Sequence, residues 1–255
     1  MTKKNDYLQR LFTFARQELL TAPVALRYLA ARGVTEQQVY DLGLGYIPED
    51  KWPPYIDPSK ATEEESFFLD KSKKGYKLRG KVLFPMTNAM GSLRGLQVRS
   101  PNPDVKDYWK FYDLHSDVDA IFFGLDRAMP HIWRTEEIVL VEGIFDLFPV
   151  RRVFPNAVCV GTARISDLQL KFLQRHVKHV RFMFDNDEYG EGAYRKFRYE
   201  HSRDFQSVQN LSYLGKDPSE SWARLGEAKF TAQFASGDEP DERMSLYRAR
   251  LFGAL

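Results

Sequence analysis

With 255 residues, 43% hydrophobic and 14% aromatic, the chain carries enough apolar material for a substantial core in one or two domains, which excludes an intrinsically disordered chain. Its 37 Lys and Arg against 35 Asp and Glu leave a net charge of +2, so affinity for an acidic partner has to come from local basic clusters. The single cysteine, Cys159, excludes an internal disulfide and a cysteine zinc site, and no stretch approaches the roughly 18 apolar residues of a membrane span; a cytoplasmic protein with no membrane contact is expected.

Apolar positions recur at helical spacing over 7–20 and 23–32. Thr35 can cap a third short helix within 34–42. Pro48, Pro53, Pro54 and Pro58 then mark an irregular connection, followed by Glu63, Glu64 and Glu65 and a basic run at Lys71, Lys73, Lys74, Lys77, Arg79 and Lys81. KVLFPMTNAMGSLRGLQVRS reads as a hairpin with strands over 81–86 and 92–99, joined through the turn formers Thr87, Asn88 and Gly91. Arg94 and Arg99 belong to it, and Tyr108, Trp109, Lys110, Phe111 and Tyr112 follow. Taken alone, such a stretch fits a solvated lysine face over an aromatic core better than it fits nucleic-acid binding.

From Ile138 onward short strands alternate with helices, the βαβ pattern of a parallel sheet. Strands are expected over 138–141, 157–160, 180–184 and 208–214, with Ser166 and Gln169 forming a capping box before a helix. Pro149 is expected to bend or delay the helix after Asp146. Past Gly226 one or two helices should close the chain.

In an open parallel sheet, functional groups gather beyond the carboxyl ends of the strands. Glu142 ends the first such strand in VEGIFD, with Asp146 one turn on; Asp185 and Asp187 follow the third in FDNDEYGEGA; Asp217 follows the fourth in LGKDPSE. One acid in such a place is commonplace as a helix cap. Three clusters in loops of one sheet repel one another by kcal/mol amounts unless a cation sits among them. An all-oxygen set suits Mg²⁺ or Mn²⁺, and Gly143 and Gly190 allow the backbone to come close to a phosphate. His176 and His179 read as surface residues rather than a ligand pair.

VEGIFD followed by FDNDEYGEGA resembles the Toprim domain of primases, topoisomerases and several nucleases, in which a Glu-Gly pair with a downstream Asp precedes an Asp-x-Asp pair. NAVCVGTARISDLQLKFL is similar to the stretch joining these motifs in bacterial DnaG-type primases. RGKVLFPMTNAMGSLRGLQVRS resembles the hairpin that precedes Toprim there, and ALRYLAARGVTEQQVYDLGLGYIP the helical entry to their RNA polymerase domain. The resemblance covers residues 23–225. It implies an α/β protein: an N-terminal α+β subdomain over 1–134 that is basic and binds nucleic acid and NTPs, a Toprim domain with a Rossmann-like, mostly parallel sheet over 135–225, and a short helical C-terminal segment over 226–255.

The resemblance also implies roles. Glu142 acts as general base toward a 3′ hydroxyl or as metal ligand, and with Asp185 and Asp187 forms the catalytic set; Glu142, Asp146, Asp185, Asp187 and Asp217 hold Mg²⁺ or Mn²⁺. Arg79, Lys81, Arg94, Arg99 and Lys110 contact nucleotide or nucleic acid, Arg99 matching the arginine that closes the hairpin motif and Lys110 the lysine of a Lys-Tyr-like element. Two features depart from the family. Ser219 replaces the last acid of an Asp-Pro-Asp motif, with Glu220 as a candidate substitute, and no lysine stands at 117–120.

The leading reading is a compact primase core, of the kind a bacteriophage or mobile element carries, that makes short RNA primers from NTPs on a single-stranded DNA template by two-metal nucleotidyl transfer. Without a zinc module, a separate zinc-binding template-recognition protein is an expected partner, as is a replicative helicase; no G-x-x-x-x-G-K-[ST] is present for a fused one. Two alternatives stay open. The same metals activate water in a Toprim-type nuclease, and a site eroded at Ser219 leaves a non-catalytic nucleic-acid-binding replication subunit. A topoisomerase fits less well, since 255 residues leave no room for a strand-passage apparatus.

Overall fold

The computed structural model describes residues 3–51, 78–102, 108–112 and 121–234. The chain divides into two compact units, Met1–Asp126 and Arg127–Leu255. The division expected at 134/135 differs from this one by the length of a single helix.

The first unit begins with α1 (Lys3–Leu20), α2 (Pro23–Ala31) and α3 (Glu36–Asp41). Pro23 opens α2 where its missing N–H is not needed. Thr35 Oγ1 accepts from Gln38 N at 3.2 Å while Gln38 Oε1 accepts from Thr35 N at 3.1 Å, a reciprocal cap that fixes the start of α3. Strands β1 (Gly45–Ile47), β2 (Lys81–Thr87), β3 (Leu93–Arg99) and β4 (Tyr108–Tyr112) form an antiparallel sheet in that order. Leu11, Phe12 and Ala15 of α1 pack on Ile47, Leu83, Leu96 and Val98, so one sheet face is the core of this unit. The hairpin turn is tied by Asn88, whose Oδ1 accepts from Met90 N and Ser92 N.

The second unit alternates strand and helix. After α4 (Leu125–Thr135) come β5 (Glu137–Val141), α5 (Leu147–Val153), β6 (Ala157–Cys159), α6 (Asp167–His176), β7 (His179–Met183), α7 (Glu188–His201), a 3₁₀ turn (Ser202–Asp204), β8 (Ser207–Asn210) and α8 (Pro218–Ala232). The sheet order is β6-β5-β7-β8, every pairing parallel. Its inner strands are mostly apolar: Ile138, Val139, Leu140 and Val141 are fully buried, as are Val180, Phe182 and Met183, while the partly exposed Glu137 and Arg181 pair with each other at 2.8 Å. That is the signature of a sheet covered on both faces. Each such side chain contributes roughly 1.5–3 kcal/mol by burial, so β5 and β7 make a rigid frame for whatever follows their carboxyl ends.

Two expectations need correction. Pro149 neither bends nor delays α5: it is the third residue of a helix that starts at Leu147, in the first turn, where amides lack intrahelical partners anyway. The last strand, expected over 208–214, ends at Asn210. Beyond Leu211, whose amide still reaches Phe182 O at 2.8 Å, side chains take the backbone groups: Leu214 N donates to Gln233 Oε1 and Asn186 Nδ2 to Tyr213 O. Helix α8 starts before Gly226 and kinks there (φ 73°, ψ 169°); residues 235–255 lie outside the described set. No described helix is long and apolar enough to cross a membrane.

Candidate active site

Parallel register pairs Val141 with Met183, so the chain leaving β5 and the chain leaving β7 run side by side. Glu142 is the first residue past β5. Its carbonyl is pinned toward β6 by Cys159 Sγ at 3.3 Å and by Gly161 N at 3.0 Å. Its half-buried carboxyl takes a hydrogen bond from the Asp185 main chain, while Oε2 is buried with no partner among the described residues. Burial raises its pKa to about 7, with the charges of Asp185 and then Asp187 adding to the effect and the Asp185 main chain and Lys216 opposing it.

Asp146 sits where α5 begins and is only 7% exposed. Its Oδ1 accepts from Ser219 N at 3.1 Å. A methyl group on Gly143 would run into Asp146 Oδ2, so the Glu-Gly-x-x-Asp spacing is a packing requirement: the carboxylate folds back over a residue that has no side chain. Burial drives the pKa of Asp146 up to about 7; Asp217 adds, Ser219 opposes by hydrogen bonding, and Asp185 adds a little.

Asp185, Asn186 and Asp187 form the turn after β7. Burial raises the pKa of Asp185 to about 6, Asp217 and Asp187 adding and Lys216 opposing. Asp187 caps α7, its Oδ1 accepting from Tyr189 N at 3.0 Å and Gly190 N at 2.9 Å. A side chain at Gly190 would overlap the Asp185 backbone, so glycine is what lets α7 start this close to the acidic turn. Asp217 caps α8 through Glu220 N at 2.7 Å, and Glu220 Oε2 accepts from Lys216 N at 2.7 Å.

Asn186 and Tyr213 escaped the sequence reading. Buried Asn186 donates from Nδ2 to Tyr213 O (3.1 Å) and Gly215 O (2.7 Å), and its amide donates to Lys216 O (2.7 Å). Tyr213 Oη donates to Phe184 O at 2.7 Å. Together they lock the β7 and β8 loops, which brings Asp217 beside Asp185. The only signal was a polar residue held between two acids at the end of a buried strand.

Among the described residues no three carboxylate, histidine or cysteine side chains close into a ready ligand cage. Asp146, Asp187 and Asp217 each commit one oxygen to a backbone amide, which leaves the other. An all-oxygen donor set with an unpartnered buried Glu142 Oε2 fits a hard cation that keeps waters and takes phosphate oxygens, such as Mg²⁺ or Mn²⁺.

Residues 139–222 match the Toprim-like family. A DNA primase of Staphylococcus aureus (strain COL) is 25% identical over 270 residues, covering 100% of this chain and 41% of its own length. The chain therefore spans about two fifths of the curated relatives it matches. The crystal structure of the Aquifex aeolicus primase zinc-binding and RNA polymerase domains is similar over 97% of this chain and 64% of its own, with a TM-score of 0.73 and 23% identity. A DnaG primase catalytic domain bound to ssDNA is similar over 90% of this chain and 77% of its own, with a TM-score of 0.68 and 20% identity. The chain has the fold of a DnaG-type primase catalytic core with a Toprim domain.

At the position that departs from the DnaG-type pattern, the main-chain N–H of Ser219 donates to Asp146, a bond that any residue but proline could make. Glu220, the candidate substitute, commits Oε2 to Lys216 N within the β8–α8 loop. The basic residues of the first unit do not form one row. Strand alternation sets Lys81, which is buried, on the face opposite Arg99, the residue paired with Val82. Arg94 is the extra residue of a β-bulge, and Lys110 lies opposite Gln97 in register. Arg79 Nη1 reaches Glu49 O at 3.5 Å and Arg99 Nη1 donates to Val98 O at 2.9 Å. The lysines at 71–77 and the 117–120 segment lie outside the described residues. His176 stacks on Phe172 while His179 Nδ1 contacts Ser207 Oγ, so the two histidines serve separate packing roles.

Proposed function

We propose that the chain is the catalytic core of a DNA primase, a DNA-directed RNA polymerase that joins NTPs into short RNA primers on single-stranded DNA. The observation that carries the reading is electrostatic. Glu142, Asp146 and Asp185, from two loops of one sheet, have pKa values raised into the range of about 6 to 7 by burial and by one another, with Asp187 and Asp217 beside them and an unpartnered buried oxygen on Glu142. A chain keeps such a set where cations and phosphates complete it.

In this reading Glu142, Asp185 and Asp187 hold Mg²⁺ or Mn²⁺ with help from Asp146 and Asp217. When bound, the ions supply the positive charge that lowers the pKa of the attacking 3′ hydroxyl and neutralises the departing pyrophosphate. Glu142, whose buried Oε2 has no partner among the described residues, serves either as a ligand of the ion or as acceptor of the hydroxyl proton. The Asn186 and Tyr213 lock keeps the acids in register, and Lys216, which already offsets the charge of Glu142 and Asp185, borders the pocket. Arg79, Lys81, Arg94, Arg99 and Lys110 are assigned to phosphates of template or NTP; the ssDNA bound to the DnaG relative supports a single-stranded template. A replicative helicase and a separate zinc-binding protein complete the proposed partners, in the reducing cytoplasm that suits the lone buried Cys159.

Incubation with single-stranded DNA, labelled NTPs and Mg²⁺ or Mn²⁺ tests this. Short oligoribonucleotides are expected, and they should vanish in Asp185→Ala and Asp187→Ala. Absence of product with either metal, with or without a helicase, or product unchanged in both variants, overturns the assignment. Cleavage of DNA or RNA without NTPs, lost in Asp185→Ala, replaces it with a nuclease.

A further inference from the structure

We propose that the outer face of α7 is a second binding site for single-stranded nucleic acid, separate from the acidic pocket. The inner face of α7 is accounted for by packing: Gly190 and Phe197 are buried, and the Phe197 and Tyr194 rings lie 5.0 and 5.6 Å from that of Phe182. The outer face is not. Arg195, Arg198 and Tyr199 stand at steps of three and four residues on α7, a stripe at helical spacing, and with Arg203 of the following 3₁₀ turn, Tyr194 and Glu200 they line a shallow groove of about 770 Å³.

Two features select the ligand. Tyr199 is 90% exposed and Tyr189, near the helix start, 81%, so large rings stand in solvent with no core to explain them. The cations in the groove are arginines, whose planar forks match phosphate oxygens and also stack on bases. Arg198 Nη1 lies 3.4 Å from Tyr194 Oη, and Arg195 pairs with Glu191, so both guanidinium groups are oriented along the helix. With Arg195 paired to Glu191, Arg198 and Arg203 remain in the groove against the one carboxylate of its lining, Glu200, which itself lies within 3.9 Å of Lys196 and 3.8 Å of His201. A positive groove carrying an exposed ring is the combination that tracks a phosphodiester backbone while stacking an unpaired base. A duplex offers no free base face to Tyr199, which is why the strand is single.

The location is distinct from the chemistry. α7 spans 14 residues from the Asp187 cap, roughly 20 Å at 1.5 Å per residue, and the groove occupies its far half and the turn beyond. Binding there needs no metal and no nucleotidyl transfer, so the inference stands or falls apart from the polymerase reading.

The test uses the full chain in EDTA, with fluorescence anisotropy of labelled dT20 and U20 over a salt series and photo-crosslinking of a 5-iodouracil oligonucleotide. Tyr199→Ala should weaken binding of at least one strand roughly fivefold to a hundredfold, and Tyr199→Phe should retain it. Arg198→Ala with Arg203→Ala should weaken binding and flatten the slope of log K against log salt by about 1.4, two phosphates at about 0.7 each. Crosslinks should map to Tyr199 or its neighbours on α7. Unaltered affinity and salt slope for both strands in Tyr199→Ala and in the double arginine variant, or crosslinks confined to other parts of the chain, overturn the proposal. Unchanged melting temperatures in these variants, whose side chains are exposed, ensure that a loss reports on binding and not on folding.

Discussion

Asp146 gives the sharpest energetic prediction. Its carboxyl is 7% exposed and its pKa rises to about 7 from an ordinary 3.8, burial being the first cause and Asp217 the second. An acid with a raised folded pKa binds its proton more tightly in the fold than in the unfolded chain, so stability is highest below about pH 4 and falls as pH climbs through 7. Three pKa units at 1.36 kcal/mol each set the cost of ionising this group in the fold at about 4 kcal/mol. Asp146→Asn removes the charge and keeps an oxygen for Ser219 N. In EDTA at pH 8 the variant should therefore be more stable than the parent by about 2–4 kcal/mol, equivalent to roughly 5–12 °C in melting temperature for a chain of this size, and the advantage should vanish near pH 4. Mn²⁺ should narrow the difference, because the ion binds more tightly to, and so stabilises more, the protein that retains the Asp146 carboxylate. Thermal and urea unfolding followed by circular dichroism across pH 4–8, with EDTA and with Mn²⁺, measures all three effects. A variant no more stable than the parent in EDTA at pH 8 would mean that the buried charge is already compensated, and the reasoning fails.

Asn186→Ala strips two carbonyls of a buried donor and should cost about 2–3 kcal/mol in urea unfolding, with weaker Mn²⁺ binding as the β7 and β8 loops separate. Gly190→Ala pushes a methyl group into the Asp185 main chain, so circular dichroism should report retained secondary structure while isothermal titration shows Mn²⁺ affinity lost. Lys216→Ala removes the cation that holds Glu142 and Asp185 down; both carboxyls should titrate at still higher pH in ¹³C NMR, and a downward move contradicts the arrangement.

The parts of the fold legible in the sequence are those where one local rule decides. Apolar stretches at 138–141, 157–159 and 182–184 mark strands of a covered sheet, Thr35 caps α3 as its hydroxyl suggested, and the Ser166 capping box falls where its partner Gln169 predicted. Because the strands are so plain, the acids just beyond them were legible as well: Glu142, Asp185 and Asp187 stand within a few residues of strand ends, while Asp217 lies farther on, at the cap of α8. What stayed hidden depends on contacts between distant residues. β8 stops early because Asn186 and Gln233 claim its backbone, and no spacing rule announces that. The bulge at Arg94 and the separation of Lys81 from Arg99 follow from strand register, which the run of basic residues could not reveal. The main-chain bond from residue 219 to Asp146 likewise joins distant parts of the chain and carries no mark in residue identity.

The central claim is that these carboxylates form one cation-dependent pocket, and isothermal titration with Mn²⁺ addresses it most directly. The account predicts saturable binding that weakens in Asp185→Asn and, below about pH 7, releases protons from Glu142 and Asp146 as the ion enters. No binding at pH 8, or binding that is indifferent both to Asp185→Asn and to pH, would contradict it.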